Sequence, residues 1–175
     1  MRHIIIGKSN AEAKDIMKYV LLIFTILGII ASSLALREHY REYGDSPCSI
    51  NDRWDCGVVN HSPYAVLDGV FDAMGIHSHI PVLGAMPVAT VGILGYIVMA
   101  VVAFRGAYRL LLLLTFGSFA FSLFLAHIEK DILQVWCIYC VISLGIISVL
   151  CLLNLGTVVS QVVRRPQDQG LGARG

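Results

Sequence analysis

The sequence has few charged residues. Only 14% of its 175 residues are charged, against about 25% in a typical soluble domain. Hydrophobic residues make up 57%, and this composition indicates an integral membrane protein. The formal net charge is +1, so the chain lacks the basic surface on which nucleic-acid binding depends. Internal repeats and low-complexity runs are also missing from the sequence.

The N-terminus lacks the features of a cleavable signal sequence. Its start, MRHIIIGKSNAEAKDIMK, has only a short apolar run and no small-residue cleavage site. The first long apolar segment is too long for a signal sequence. We therefore expect it to remain in the protein as a membrane span.

Four apolar segments are long enough to cross a hydrocarbon core, which takes about 20 residues. They cover residues 17–36, 82–104, 108–127 and 133–159. Pro87 lies inside the second segment and predicts a kink there. The predicted fold is an all-α integral membrane protein, with a four-transmembrane-helix bundle over residues 17–159. Residues 1–16 and 160–175 are predicted tails, and residues 37–81 form one long loop.

Basic residues predict the orientation, because short cytoplasmic flanks are enriched in Lys and Arg. Both tails and the turn between the second and third segments carry such residues, and four spans place all three on one side. The loop of residues 37–81 holds three Arg against seven acidic residues and lies on the other side. We therefore expect both termini in the cytoplasm and the loop outside.

Five cysteines are present, and this topology brings four of them to one face. Cys48 and Cys56 lie in the outer loop, and Cys137 and Cys140 lie near the outer start of the fourth segment. This is the oxidising face, where disulfides persist. Cys151 lies about three helical turns deeper, and we interpret it as a buried free thiol that packs as a small hydrophobe.

The fourth segment begins with a C-x-x-C pair. On a helix, Cys137 and Cys140 share one face and can bond to each other. Asp131 and Gln134 fit a variant of the capping box, which predicts that the helix begins there and that Cys137 lies one to two turns inside. The positive helix end lowers the pKa of thiols in other C-x-x-C sites, although this effect fades within the first turn.

Two plainer interpretations fit parts of this pattern. The C-x-x-C pair could be two unrelated cysteines in an apolar helix, where Cys is common. Four cysteines could also form a zinc site. However, the seven residues between Cys48 and Cys56 fit a zinc knuckle poorly, and an oxidising compartment disfavours stored thiolates. We expect no bound metal.

The outer loop has a polar part and a periodic part. Cys48 lies in a polar, acidic stretch that we expect to be flexible and exposed. From residue 63 to residue 76, apolar residues recur at helical spacing, which predicts a short amphipathic helix over the bundle or on the membrane; they are Val66, Leu67, Val70, Phe71 and Met74. An ordinary solvated loop is the alternative.

An exposed cysteine pair and an embedded pair together suggest a relay. The exposed pair can meet a soluble protein, and the embedded pair can meet a molecule dissolved in lipid. Thiol–disulfide exchange passes two electrons per step through mixed disulfides. The lipid-soluble two-electron acceptor that fits is a quinone.

These residues also resemble a known family. The order is a span, a loop with C-x₇-C, and then C-x-x-C at the outer start of the fourth span. Ser62 stands six residues after Cys56, and GAMPVATVGILGY (residues 84–96) resembles the second span of bacterial members. Over about residues 17–159 the chain is similar to the vitamin K epoxide reductase family, in its bacterial, quinone-reducing form.

The resemblance implies a four-helix bundle around a quinone of the ubiquinone or menaquinone type, capped by the loop helix. It implies that Cys48 receives electrons from a thioredoxin-fold, DsbA-like protein. Cys56 would pass them on by bonding transiently to Cys137, and Cys140 would reduce the quinone. The implied location is the bacterial inner membrane, with these cysteines at the periplasmic face.

Ser62 has two interpretations at this point. The resemblance implies that it orders the loop or polarises a quinone oxygen. A helix N-cap before Pro63 explains it equally well.

The chain also departs from the family pattern. Many bacterial members carry a fused thioredoxin-like domain after the last span, whereas this chain ends soon after it, so we expect the partner to be a separate protein. Vertebrate members have a Tyr four residues after the C-x-x-C pair, where this chain has Leu144. No residue matches the vertebrate quinone-binding Asn with confidence. His61, His77 and His79 lie on the outer side and are candidate donors of protons or hydrogen bonds, although a surface or interfacial position explains each of them better.

The sequence therefore predicts a quinone-dependent thiol–disulfide oxidoreductase that supports disulfide-bond formation. A DsbB-like protein also has four spans and two cysteine pairs, but its C-x-x-C pair lies in the first outer loop, the reverse of the order here. The alternative from another class is a non-enzymatic four-span protein. In such a protein a stable Cys56–Cys137 bond would only staple the loop to the bundle.

Overall fold

The fold is all-α over residues 2–42, 44, 46–76 and 81–172, which the computed structural model describes. Side chains are described for residues 12, 15–42, 44, 46–76 and 83–163. Within these ranges the helices are α1 Arg2–His39, α2 Cys56–Asn60, α3 Leu67–Ala73, α4 Pro81–Gly84, α5 Val88–Phe104, α6 Tyr108–His127 and α7 Ile138–Gly172. A 3₁₀ turn, Pro63–Ala65, precedes α3, and a π-helical turn, Ile128–Leu133, follows α6.

The four longest helices form a closed bundle. Helix α1 packs against α5 and α7, and α6 packs against α7 and α5. All four contribute to the buried core of Leu21, Ala31, Tyr96, Met99, Ala103, Leu111, Ile146, Ile147 and Leu150. Helix α1 approaches α5 closely at Gly28, where a Cβ atom would overlap the Tyr96 ring. Small residues at such contacts are typical of helix packing in membranes.

The outer surface of the bundle is also apolar. Exposed large hydrophobic side chains lie on all four helices and include Ile23, Ile26, Leu94, Leu113, Phe116, Leu152 and Val159. A soluble monomer rarely exposes apolar surface on this scale. Among the described residues, α1, α6 and α7 are long and apolar enough to cross a membrane, and α5 is apolar but shorter.

The second apolar segment differs from its prediction. A single kinked helix from residue 82 was expected, but α5 begins at Val88, directly after Pro87. The preceding helix α4 ends at Gly84, and the Met86 carbonyl accepts a hydrogen bond from the Leu67 amide at 3.1 Å. Because Pro87 has no N–H and Met86 is tied to the loop, the helix is interrupted here. Helix α5 is therefore about 25 Å long.

The loop helix is shorter than predicted. The expected amphipathic helix over residues 63–76 is divided into the 3₁₀ turn and α3. Leu67 and Val70 are buried as the periodicity predicted, whereas Met74 is exposed. Val66 is extended and forms an isolated bridge with Pro87, which separates the two helical pieces. The loop is thereby attached to the start of α5.

Candidate functional site

Two distant segments pair at one end of the bundle and bring the cysteines together. The Trp136 amide donates to the Arg53 carbonyl at 2.8 Å, and the Asp55 amide donates to the Trp136 carbonyl at 3.1 Å. This is an isolated parallel bridge between Trp54 and Trp136, whose rings lie 6.4 Å apart. Since Cys56 follows Asp55 and Cys137 follows Trp136, the pairing sets one cysteine of each pair beside the other. We call these paired segments the junction.

The junction buries three of the cysteines in one cluster. Cys48, Cys56 and Cys137 are 5%, 0% and 0% exposed, and Cys140 packs against them. Cys48 and Cys56 form a disulfide with their Cα atoms 5.6 Å apart. Cys137 and Cys140 are free. The four predicted cysteines are therefore brought together, in two pairs with different covalent states.

The expectation that Cys48 is exposed is wrong, whereas the expected flexibility of its segment stays a prediction. Cys48 is buried because its disulfide draws it against Cys56 and into the apolar cluster. The chain reaches this position through a turn in which the Ser49 amide donates to the Ser46 carbonyl at 3.2 Å. Polar residues near Cys48 in the sequence concealed this burial.

The start of α7 also differs from its prediction. The capping box at Asp131 and Gln134 is wrong, because residues 128–133 form the π-helical turn and Gln134 is left-handed with φ 58°. The Asp131 carboxylate instead contacts His127. Helix α7 begins at Ile138, so Cys137 lies just before its first turn rather than one to two turns inside.

The two free thiols interact at the start of α7. Their interaction, in which the Cys140 thiol hydrogen-bonds to Cys137, is the main cause that lowers the pKa of Cys137 below its ordinary value. Burial acts in the opposite direction. The Asn60 side chain adds a donor, with Nδ2 3.6 Å from Cys137 Sγ and 2.8 Å from the Cys56 carbonyl. Asn60 thus bridges the two cysteine pairs.

Asp55 organises the loop side of the junction. It is the N-cap of α2, and its carboxylate accepts from the Gly57 and Val58 amides at 2.8 and 3.1 Å and from Ser49 Oγ at 2.7 Å. Burial raises the pKa of Asp55, but the hydrogen bonds from Ser49, Val58 and Gly57 lower it more, and the net pKa lies below the ordinary value. The cap therefore holds Cys56 at the start of α2.

A cavity of about 220 Å³ lies beside the free pair. Cys140 lines it, together with residues from α1, α2, α5, α6 and α7. Most of its lining is apolar, and its polar members include Asn60, Ser62, Glu129, Tyr96 and Ser143. The Tyr96 hydroxyl donates to the Ser143 carbonyl at 3.1 Å and lies 3.0 Å from Ser143 Oγ. Leu144, where vertebrate relatives have Tyr, also lines the cavity.

Ser62 lies at the cavity but does not cap a helix with its side chain. Its hydroxyl donates to the Val59 carbonyl at 2.8 Å, and it makes no side-chain capping bond to the 3₁₀ turn that follows. Ser62 therefore occupies the predicted N-cap position before Pro63, but its side chain does not cap. The hydroxyl instead closes the end of α2, at the cavity wall.

Of the three candidate histidines, only His61 lies within the described residues. His61 contacts the Gly57 and Arg41 carbonyls through its two ring nitrogens, at 2.8 and 2.9 Å. It therefore joins α2 to the segment after α1 and does not line the cavity. His77 and His79 lie outside the described residues.

Cys151 is a free thiol, as predicted, but it is only partly buried rather than buried. Leu150 and Asn154 are the neighbouring residues of α7 that are fully buried in the bundle. In the described part of the chain, no three or more His, Cys, Asp or Glu residues stand close enough to hold a metal ion.

Sequence reasoning missed several polar residues at the site. Asn60 lies four residues after Cys56, a spacing that would have pointed to it had a helix been predicted from Cys56. Glu129 lies between the predicted third and fourth segments, where no site residue was predicted, yet it is 4% exposed, and its Oε2 accepts from the Cys137 amide at 3.1 Å. A carboxyl group eight residues before a C-x-x-C pair was the available signal.

The fold and site define an all-α protein with apolar, membrane-type helices and two cysteine pairs set for thiol–disulfide exchange. The model of the vitamin K epoxide reductase family matches residues 19–155, which is most of the chain. The chain belongs to the vitamin K epoxide reductase family, and the resemblance seen in the sequence is confirmed. This places it among membrane-bound, quinone-using thiol–disulfide oxidoreductases. A search of the curated proteins gives no match.

Proposed function

We propose that this protein oxidises a periplasmic thioredoxin-fold, DsbA-like protein and passes the two electrons to a membrane quinone, in support of disulfide-bond formation. One observation carries the proposal. Cys56 and Cys137 are buried in the same cluster, and Cys140 lines the adjoining cavity. The loop disulfide thus lies next to the free thiol pair, and the free thiol pair lies next to the cavity.

The proposed relay has three steps in which electrons balance. The partner's two thiols reduce the Cys48–Cys56 disulfide through a mixed disulfide at Cys48, and the partner becomes oxidised. Cys56 then attacks Cys137 of a Cys137–Cys140 disulfide, and Cys48 resolves the mixed bond. The loop pair is again a disulfide and the helix pair is a dithiol, which is the covalent state seen here. Finally, the dithiol reduces the quinone to the quinol.

The cavity suits the ring of a quinone as substrate. A quinone combines a flat apolar ring with two oxygens that accept hydrogen bonds. The cavity combines apolar walls with hydroxyl groups of Ser62, Tyr96 and Ser143, in keeping with ligand sites that use a few polar groups to orient a mostly apolar ligand. Cys140, Asn60 and these hydroxyls are the residues that would meet the ring.

The partner must gain access to Cys48 during the cycle. Cys48 is 5% exposed in this covalent state, so a protein partner would reach its sulfur only after the segment around it moves. The exposure of Pro47, Ser49 and Ile50 beside it supports such a movement, because segments with few buried contacts open most readily. In our proposal both termini are cytoplasmic, α5 is the fourth span, and the junction faces the periplasm of the bacterial inner membrane.

The test is a coupled assay with purified protein in detergent, a reduced DsbA-like protein and a short-chain naphthoquinone. We expect wild-type protein to form quinol and Cys48→Ala to fail with the protein donor. Cys48→Ala should retain activity with dithiothreitol, which can reduce the Cys137–Cys140 disulfide directly. Cys151→Ser is the matched cysteine control and should remain active.

The same assay separates this proposal from a structural role for the disulfide. The Cys56–Cys137 staple of the non-enzymatic alternative is not formed here, since Cys137 is free. A purely structural role would instead rest on the buried Cys48–Cys56 bond. A staple predicts no quinol with either donor and a disulfide that survives mild reductant. That pair of results would overturn the proposed function.

A further inference from the structure

Glu129 is a buried acid that the relay described above does not use. The turn after α6 contains Glu129, Lys130 and Asp131, and only Glu129 is buried, at 4% exposure. The chain reverses at left-handed Gln134, and the Val135 amide donates to the Glu129 carbonyl at 3.1 Å. This reversal turns the Glu129 side chain inward, beneath the start of α7.

The Glu129 carboxyl group meets both free cysteines. Its Oε2 accepts from the Cys137 amide at 3.1 Å, and the same group interacts with the Cys140 thiol. In the described part of the chain, no Lys or Arg forms an ion pair with it. A buried carboxyl group without a cation is held at least cost as the neutral acid. Glu129 can therefore carry a proton beside the reacting sulfurs.

The same side chain also lines the cavity. Glu129 and Cys140 are both part of its wall, so a molecule in the cavity has the carboxyl group and the thiol on one side. The other titratable groups that interact with Glu129 are the Cys137 and Cys140 thiols. The Cys140 sulfur and the Glu129 carboxyl group therefore contact each other, and both border the cavity.

We propose that Glu129 is a catalytic acid–base residue that transfers protons from the Cys137–Cys140 dithiol to the oxygens of the quinone. This inference rests on the proposed function. Two S–H bonds break and one S–S bond forms, and the quinone gains two electrons and two protons. Glu129 gives its proton to a quinone oxygen and takes the Cys140 proton in return. It then gives this second proton to the quinone and takes the Cys137 proton, which moves through the hydrogen bond with Cys140. Two protons have then reached the quinone, and Glu129 ends protonated, as it began.

Glu129→Gln separates proton transfer from positioning. The amide keeps an oxygen that can accept from the Cys137 amide, but it cannot carry a proton. We expect kcat for quinone reduction to fall about 100-fold, within the usual contribution of general acid–base catalysis. The KM for the naphthoquinone and the rate of exchange between the two cysteine pairs should stay within about twofold. Asp131→Asn, two residues away and exposed, is the matched control and should behave as wild type.

The readouts are quinol formation with dithiothreitol as donor, its pH profile, and disulfide exchange followed by alkylation and mass spectrometry. The inference is overturned if Glu129→Gln reduces quinone at the wild-type rate with the wild-type pH profile. It is also overturned if quinone reduction and exchange slow equally, because that indicates positioning alone. Absence of quinol with wild-type protein would instead contradict the proposed function.

Glu129→Asp provides a second variant if the amide variant does not fold. This variant keeps the carboxyl group but shortens the side chain by one methylene group. We expect an intermediate kcat and a displaced pH profile, with normal exchange between the pairs. A wild-type rate and pH profile in this variant would contradict the inference.

Discussion

The two cysteine pairs lie in one junction but are built differently. Cys48 and Cys56 are eight residues apart, closed as a disulfide, and held by a turn and by the capped start of α2. Cys137 and Cys140 are open and flank the first turn of α7, and Cys140 faces the cavity. The reduced pair is therefore the one in contact with the cavity. This difference supports our proposal that the loop pair serves the partner and the helix pair serves the quinone.

Removing the Cys140 thiol, which lines the cavity, should have the largest effect on quinone reduction. In Cys140→Ser, Cys137 cannot form the intrahelical disulfide, so quinone reduction should fall by about a thousandfold or more. Cys137 can still attack the Cys48–Cys56 bond and displace Cys48 as a thiol. We therefore expect a Cys56–Cys137 crosslink, detected by non-reducing peptide mapping. A fully active variant would show that Cys140 is not the donor.

Breaking the junction should slow exchange between the pairs without removing a sulfur. Trp136→Pro deletes the N–H that donates to Arg53, so Cys56 and Cys137 lose their register. A misplacement of about 1 Å can cost about 100-fold in rate, and we expect an exchange rate reduced to that extent by timed alkylation. Trp136→Phe keeps the N–H and should exchange at nearly the wild-type rate. Equal rates in the two variants would contradict a role for the pairing.

Removing one hydroxyl group from the cavity should affect quinone binding but not exchange between the cysteine pairs. Tyr96→Phe removes a donor that could turn from Ser143 to a quinone oxygen. The loss of one hydrogen bond corresponds to about a 2- to 10-fold rise in KM for the naphthoquinone, with exchange between the pairs unchanged. Tyr108→Phe, whose ring lies outside the cavity lining, is the control. An unchanged KM in Tyr96→Phe would place the quinone elsewhere.

Removing the helix cap at Asp55 should have the smallest effect, and we expect that effect on the stability of the fold. Asp55→Ala removes the α2 cap and should lower the free energy of unfolding by about 1 kcal/mol. The pKa of Asp55 lies below its ordinary value of 3.8, so its charge stabilises the fold above that pH. This contribution is lost as pH falls through the lowered pKa.

Tryptophan fluorescence is the measurement for the cap, because the two tryptophans of the chain both lie in the junction. Asp55→Asn should keep most of the stability at neutral pH, since Asn also caps helices, but should lose the acid dependence. If Asp55→Ala unfolds as readily as wild type at neutral pH, the cap does not hold the junction.

The sequence was most informative where local pattern and covalent chemistry agree. The apolar segments predicted the regions of α1, α5, α6 and α7, and the topology that they imply predicted that four cysteines gather at one end. It failed at Cys48 and Cys137 for a common reason. Their positions depend on the pairing of Arg53 and Asp55 with Trp136, some eighty residues away, and no local window contains both segments. It failed at Glu129 because the burial of this residue follows the chain reversal at left-handed Gln134, which the sequence pattern did not indicate. The break at Pro87 likewise depends on a contact with Leu67.

The most direct test of the relay counts electrons. Fully reduced protein, freed of reductant without oxygen, is mixed with excess short-chain naphthoquinone, and the quinol formed per protein is measured. Because each disulfide formed releases two electrons, we predict about two quinols for wild type. The Cys48→Ala/Cys56→Ala variant should give about one, and the Cys137→Ala/Cys140→Ala variant none. Quinol from the variant that lacks the helix pair would contradict the account.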